Sequence, residues 1–337
     1  MTGFAILGPG VVADFHRKAI EANADRGARL VAVGYYNPER FDQIEEVFGV
    51  PCQTPEDVFR NPEVDAVCIC TPSGQHAAQA IAAARAGKHV LVEKPMALTL
   101  ADADAMLDAC RRADVKLGVV FQRRAEPLFR RVKAAVQAGE IGKPTMGIVS
   151  VPYYRPQGYY DQAAWRGTWA EDGGGVLMNQ GIHLVDLLLW YLGNPVETVA
   201  HAVTLHHAIE VEDTLTAALR FENGALATIS ATTTAAPGFP HRLEIYGTAG
   251  GIQIEGEDPV RWRSAGGEPA RAGSGAVPAT KAAAGGDPKA IPLSGHIGII
   301  ADFIDSIRQN KSPLVNGSEG RRSLAAVLAI YQAAKRG

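Results

Sequence analysis

Two short stretches hold the residue types that could move a proton. The first is "VEKPMAL", where Glu93-Lys94-Pro95 closes an apolar, strand-like run. A lysine at such a strand end can lose or donate a proton if its pKa is lowered. Glu93 stands where it can orient that lysine, and Pro95 fixes the turn. The second is "GGGVLMNQGIHLVD", residues 173–186, in which three glycines run into an apolar segment bearing Asn179, His183 and Asp186. If residues 176–190 are helical, Asn179 and His183 are i and i+4, His183 and Asp186 are i and i+3, and all three share a face. Burying such a polar stripe is costly unless its groups are paired or face a cavity. Glycines ahead of it let the backbone approach a ligand closely. The chemistry suggested for Lys94 is general acid–base catalysis, while the stripe of Asn179, His183 and Asp186 either caps a structural network or lines a site.

A third stretch, Gly8-Pro9-Gly10-Val11-Val12-Ala13, follows the apolar run "FAIL" and opens a helix. In that context it reads as a dinucleotide fingerprint. The first glycine makes the turn, the second lets the backbone approach a pyrophosphate, and Ala13 supplies the small third residue. The phosphates would sit on the helix N-terminus. The second strand should end in an acid for the ribose 2′-hydroxyl, but the sequence there is "VGYYNPER". Tyr35 or Tyr36 can pack on adenine, Arg40 can reach a 2′-phosphate, and Asn37 can bond the ribose; equally, the tyrosines simply cover the strand end. The cofactor is therefore NAD or NADP, with a lean to NADP.

These stretches need a scaffold. At 337 residues the chain suggests two domains. Residues 1–121 alternate apolar strands and helices, the signature of a parallel sheet covered on both faces. From residue 122 to 337 the pattern changes to a helix followed by alternating segments, with Asn223-Gly224 as a hairpin signal. This half reads as an open, mostly antiparallel sheet. Residues 264–290, rich in Gly, Ala and Pro, read as a mobile loop, and helices at about 295–310 and at the C-terminus complete the chain, the last of them able to pack back on the first domain. The net charge of −3 argues against a nucleic-acid partner. No apolar run is long enough to span a bilayer, and no secretory leader is visible, so a cytoplasmic protein is expected. Cys52, Cys68, Cys70 and Cys110 read as reduced, buried thiols. The spacing of His201, His206, His207 and His241 suits no metal, and solvated side chains are expected there.

In order and spacing, "GPGVVA", "TPSGQH", "EKP", "GEIGKP" and "GGGVLMNQGIHLVD" resemble the glucose-fructose oxidoreductase / inositol dehydrogenase / rhizopine catabolism (Gfo/Idh/MocA) family across essentially the whole chain. The resemblance implies a Rossmann domain, then an α/β domain whose sheet serves in oligomer contacts, giving a homodimer or homotetramer. It also implies NAD(P)-linked hydride transfer at a secondary alcohol of a sugar, nucleotide sugar or cyclitol. Its catalytic lysine falls on Lys94 and its catalytic histidine on His183. Thr71, Pro72 and His76 fall where the family contacts the cofactor, as do Glu93 and Lys94. The family often has aspartate where this chain has Asn179, which can orient a hydroxyl but not take its proton. Gln122, assigned to the cofactor, and Arg123, assigned to the substrate, end the fifth strand at the same crevice. Tyr153, Trp165 and Arg166, with Tyr154 and Arg155, occupy an irregular stretch suited to sugar faces and anionic groups. Two other readings remain at this point: a non-catalytic dinucleotide-binding sensor, and a reductase of a non-sugar carbonyl.

Overall fold

The computed structural model describes residues 1–264 and 292–336; the segment read as a mobile loop lies almost wholly outside them. In chain order the first elements are β1 (Thr2–Leu7), α1 (Val11–Glu21), β2 (Ala28–Gly34), α2 (Phe41–Phe48), β3 (Cys52–Gln53), α3 (Pro55–Arg60), β4 (Ala66–Ile69), α4 (His76–Arg85), β5 (His89–Val92), α5 (Leu100–Arg112) and β6 (Leu117–Val119). Then come α6 (Pro127–Gln137), β7 (Pro144–Pro152), α7 (Gln157–Asp161), α8 (Ile182–Leu192), β8 (Pro195–Val203), β9 (Thr214–Phe221), β10 (Leu226–Thr232), β11 (Arg242–Gly247), β12 (Gly250–Glu255), β13 (Asp258–Arg263), α9 (Ser294–Arg308) and α10 (Gly317–Ala334).

The chain divides into two units, Met1–Glu126 with Pro292–Leu324, and Pro127–Ile291 with Ala325–Gly337. α9 and the first half of α10 belong to the first unit; of these the sequence reading allowed only the last helix to return to the first domain.

The first unit is built on a six-stranded parallel sheet in the order β3-β2-β1-β4-β5-β6. This is the doubly wound order, whose switch point lies between β1 and β4. Residues 4–7, 66–69 and 90–92 are all buried, as expected of strands covered on both faces. Loop glycines with positive φ, Gly49 (69°) and Gly87 (75°), follow α2 and α4 and stop them. The sequence reading missed β3, which is only two residues long.

The second unit holds a seven-stranded sheet, β13-β12-β11-β7-β10-β9-β8. It is mostly antiparallel, except that β7 and β10 run parallel. Asn223-Gly224 does turn β9 into β10, with Gly224 at φ 86°. Alternation along β9 and β10 buries Leu215, Leu219, Phe221, Ala227 and Ile229 on one face. On that face a side chain at Gly147 would come within 2.7 Å of Leu188 and 3.0 Å of Leu192, so β7 and α8 touch closely. The opposite face leaves Met146, Val199 and Leu226 exposed. Among the described residues, no helix is long and apolar enough to cross a membrane. All four cysteines are buried and unbridged, and burial raises the thiol pKa of each.

Candidate active site

Because the strands of the first unit are parallel, the carboxyl ends of β1, β4 and β5 line one edge. Gly8–Gly10, Thr71-Pro72 and Glu93-Lys94 follow those strand ends directly. Gly8 takes φ 88°, and a Cβ there would lie 2.8 Å from the Thr71 methyl. The glycine is thus required both by conformation and by the close approach of the two loops. Gly10 is the N-cap of α1 and has no side-chain cap; a Cβ on it would meet no atom within 4 Å. Open space over uncapped N–H groups at a helix start suits a phosphate. Val11 is exposed, Val12 is half-buried, and Ala13 is fully buried, as the fingerprint requires of its small residue. A dinucleotide fits this turn.

At the end of β2, Tyr35 is half-buried and Tyr36 exposed. The Arg40 guanidinium stands 5.5 Å from the centre of the Tyr35 ring and donates to its hydroxyl at 3.4 Å. Asn37 is already engaged: its side-chain oxygen accepts from the Glu39 N–H at 3.0 Å.

Lys94 is half-exposed between two buried neighbours, Glu93 and Pro95. The turn is pinned from both sides. The Glu93 N–H donates to Ile69 O at 3.0 Å, continuing the ladder of β5 with β4. The His76 ring, buried at the start of α4, bonds Pro95 O at 2.8 Å and Thr71 O at 2.9 Å. His76 therefore ties the two loops together by their backbones. Burial lowers its pKa against the pull of the Pro95 and Thr71 carbonyls. The neutral ring donates to one carbonyl and gains the second bond only on protonation.

Glu93 turns its carboxylate into a buried cluster: His16 of α1 donates to Oε1 at 2.9 Å, and the His296 ring of α9 stands 3.8 Å from the same oxygen. Burial alone would raise the Glu93 pKa; the bond from His16 and the close His296 ring outweigh it and hold the carboxyl well below its usual range. Gln122 is buried, with its backbone and side chain against Gly295 of α9, and Arg123 is half-exposed in the same short turn.

In the second unit, His183 lies in the first turn of α8, but the residues before it are not α-helical. Leu177–Gly181 forms a π turn that includes Asn179. The expected single face through 179, 183 and 186 therefore does not hold. A wider turn changes the angle between Asn179 and His183, and such turns often occur at functional sites. Asn179 donates from Nδ2 to Asp172 Oδ1 at 3.0 Å, while Asp172 Oδ2 accepts the Gly167 N–H at 3.0 Å. A carboxylate only accepts, so it fixes which way round the Asn179 amide lies.

The glycines before this segment serve the chain itself. A Cβ on Gly175 would fall 1.7 Å from Glu212 O, and one on Gly174 would fall 2.3 Å from the Tyr331 hydroxyl. Glu212 accepts from Gly175 N–H and Leu177 N–H, both at 2.9 Å, and from the Tyr331 hydroxyl at 2.8 Å. Tyr331 in turn accepts from Met178 N–H at 3.1 Å. A buried carboxylate thus anchors the start of the helix that bears His183. Glu212 and Tyr331 were not among the residues expected from sequence, because 37 and 153 residues separate them from what they hold.

Tyr153, Tyr159, Trp165, Arg155 and Arg166 form one cation–aromatic group. The Arg166 guanidinium lies 4.2 Å from the Tyr159 ring centre and 4.9 Å from that of Trp165; Arg155 lies 5.7 Å from Tyr153 and 5.5 Å from Tyr159. His207 and His241, expected to be solvated, are buried. His207 bonds Asp213 at 3.1 Å and Arg155 O at 2.8 Å, and His241 bonds the Tyr153 hydroxyl at 3.0 Å. Each is satisfied as a packing residue behind that group.

Comparison with known proteins agrees with this layout. Residues 2–121 match the model of the oxidoreductase family with an NAD-binding Rossmann fold, and residues 129–253 match the GFO/IDH/MocA C-terminal domain. The chain is 32% identical to the myo-inositol 2-dehydrogenase of Thermotoga maritima over 73% of each protein. It is 33% identical to the 1,5-anhydro-D-fructose reductase of Ensifer adhaerens over 87% of this chain and 84% of that protein. Among solved structures it resembles the WlbA dehydrogenase of Bordetella pertussis in complex with NADH and UDP-GlcNAcA, with a TM-score of 0.86 and 36% identity over 99% of this chain and 96% of that one. The chain belongs to the Gfo/Idh/MocA family of oxidoreductases.

Proposed function

We propose that this protein is an NAD(P)-dependent dehydrogenase acting on a secondary alcohol of a sugar, with a nucleotide-linked sugar acid as the substrate class that fits best. The observation that carries the redox reading is the alignment of the Gly8–Gly10 turn, the Thr71 loop and Lys94 along one edge of a doubly wound sheet. Gly8, Pro9, Gly10, Val11 and Val12 would hold the pyrophosphate, with Thr71, Pro72 and Gln122 on the nicotinamide side. A nicotinamide held there would supply the hydride acceptor for the carbinol carbon. The chain's own task is the proton: the substrate hydroxyl gives it to Lys94 or His183, and the other polarises the oxygen. Asn179 cannot share in that transfer; held by Asp172, it orients instead.

The sugar-acid reading rests on Arg166, half-exposed against the Tyr159 and Trp165 rings, with Arg155 buried beside Tyr159. Guanidinium groups stacked on aromatic rings stay charged and pair with carboxylate or phosphate oxygens. The structural relative that carries UDP-GlcNAcA supports the same class. For the dinucleotide, β2 ends without a carboxylate and with Arg40, so we propose mild discrimination between NAD and NADP, while the relative's NADH supports NAD as the working cofactor. The exposed apolar residues on the outer face of the seven-stranded sheet support pairing of that face with a second copy.

The test is a panel of UDP-sugar acids, neutral UDP-sugars, free hexoses and inositols, followed by absorbance of the reduced nicotinamide with each dinucleotide. Turnover confined to acidic nucleotide sugars is expected. Turnover of inositols with none of UDP-sugars would replace this substrate class.

A further inference from the structure

His16, Glu93 and His296 are 1%, 7% and 3% exposed, and their ligating atoms lie within 4.8 Å of one another. They come from three places in the sequence: the helix opened by the Gly8–Gly10 turn, the residue before Lys94, and α9. Glu93 divides its oxygens between two tasks. Oε1 accepts from His16 Nε2, with His296 Nε2 at 3.8 Å, and Oε2 accepts from the Lys94 N–H at 3.3 Å. Three buried polar groups are a poor way to hold a sheet to two helices, since apolar residues of the same volume often stabilise as well or better. Their arrangement instead makes the place of the Lys94 backbone depend on α1.

We infer that His16, Glu93 and His296 form a positioning device for Lys94, linking the dinucleotide-binding helix to the turn that carries the proton-handling lysine. This rests on Lys94 having the role proposed above. A carboxylate is required because it must accept from both sides at once. His16 is required as an N–H donor of fixed reach and not as a charge. Its Nδ1 and that of His296 are buried with no hydrogen-bond partner. A histidine that binds a metal usually has its second nitrogen anchored, so the donor set favours a hydrogen-bonded cluster over a metal centre.

The experiment compares Glu93→Gln, His16→Leu, His16→Gln and Lys94→Ala in the full chain. Its readouts are kcat and KM on the best substrate of the panel, dinucleotide affinity from tryptophan quenching, Tm, and transition-metal content of the purified protein. Glu93→Gln and His16→Leu should lower kcat about 10-fold or more, as sub-ångström misplacement of a reacting group does, with dinucleotide KM within about twofold. His16→Gln, which keeps an N–H donor, should recover most of kcat. A fall in Tm with kcat per folded molecule intact in both Glu93→Gln and His16→Leu would overturn the inference, as would His16→Gln behaving like His16→Leu. One metal ion per chain, lost in His16→Leu, would overturn it in favour of a metal site. If Lys94→Ala itself keeps its rate, the assignment of Lys94 fails first, and that outcome is distinct from the others.

Discussion

Gly175→Ala separates two accounts of the glycines that precede His183. If they exist to admit a ligand, the substitution leaves the fold alone and weakens binding. The structure argues the reverse. The new Cβ would sit 1.7 Å from Glu212 O, 2.7 Å from Glu212 C and 2.9 Å from Glu212 Oε2. The first of these is about half an ordinary contact, and its partner is backbone, so one strand of chain must move by more than an ångström. The same joint carries Gly175 N–H to Oε2 and Leu177 N–H to Oε1 at 2.9 Å, and Val176 N–H to Glu212 O at 3.1 Å. A neutral bond contributes about 1 kcal/mol and one to a charged group about 1.5–3. Losing the three together comes to about 4–7 kcal/mol, a large share of a domain's margin of about 5–15. Thermal unfolding followed by circular dichroism should show a fall in Tm of about 10 °C or more. Gly10→Ala, where a Cβ meets nothing within 4 Å, should melt like the parent and lose dinucleotide affinity. A Gly175→Ala protein with unchanged Tm and a raised substrate KM would mean that this glycine serves a ligand and not the joint with Glu212.

Further consequences follow from the same geometry. Arg40→Ala should weaken NADP more than NAD in fluorescence titrations, and equal losses would remove Arg40 from the 2′-phosphate. Acid should destabilise in two steps. His76 holds its proton less tightly when folded, so the unfolded chain takes up more protons below its ordinary 6.5 and stability falls as pH drops from there. Glu93, depressed when folded, adds a second loss below its ordinary 4.5, while Glu212, raised by burial, works in the opposite direction. Melting curves between pH 7.5 and 5.5 should show the first step in the parent and a flatter limb in His76→Asn; the same slope in both would exclude His76 as its source. Val199→Glu together with Leu226→Lys should give a smaller species in light scattering with Tm nearly unchanged, and an unaltered mass would place any assembly on another face.

Much of the first unit was legible because parallel strands buried on both faces are unbroken apolar runs, and helix stops announce themselves as glycines. The two-residue β3 left no such run. The hairpin at Asn223-Gly224 was readable because its turn chemistry is local. At the candidate site, Gly8, Gly10, Lys94 and His183 stood out by type and context, as did Glu93, Pro95 and His76 around Lys94, but several residues that hold the rest did not. The π turn at Leu177–Gly181 was invisible to a reading that assumes 3.6 residues per turn. Glu212, Tyr331 and His296 act across long stretches of chain, where no spacing rule applies. Signals were nonetheless present at Asp172, an acid directly before three glycines, and at His16, a histidine on the buried side of an amphipathic helix. His207 and His241 show the limit of counting histidines: neighbours in the fold, and not exposure, satisfy them.

In the proposed function, Lys94 and His183 handle the substrate proton. The measurement that tests it most directly is single-turnover hydride transfer, with saturating dinucleotide and substrate, in Lys94→Ala and His183→Ala, read beside the Tm of the same preparations. A loss of about 10²-fold or more is expected in each, with dinucleotide binding retained and Tm within a few degrees of the parent. A rate per folded molecule close to that of the parent, with a lowered Tm in His183→Ala, would contradict it and make that helix a packing element.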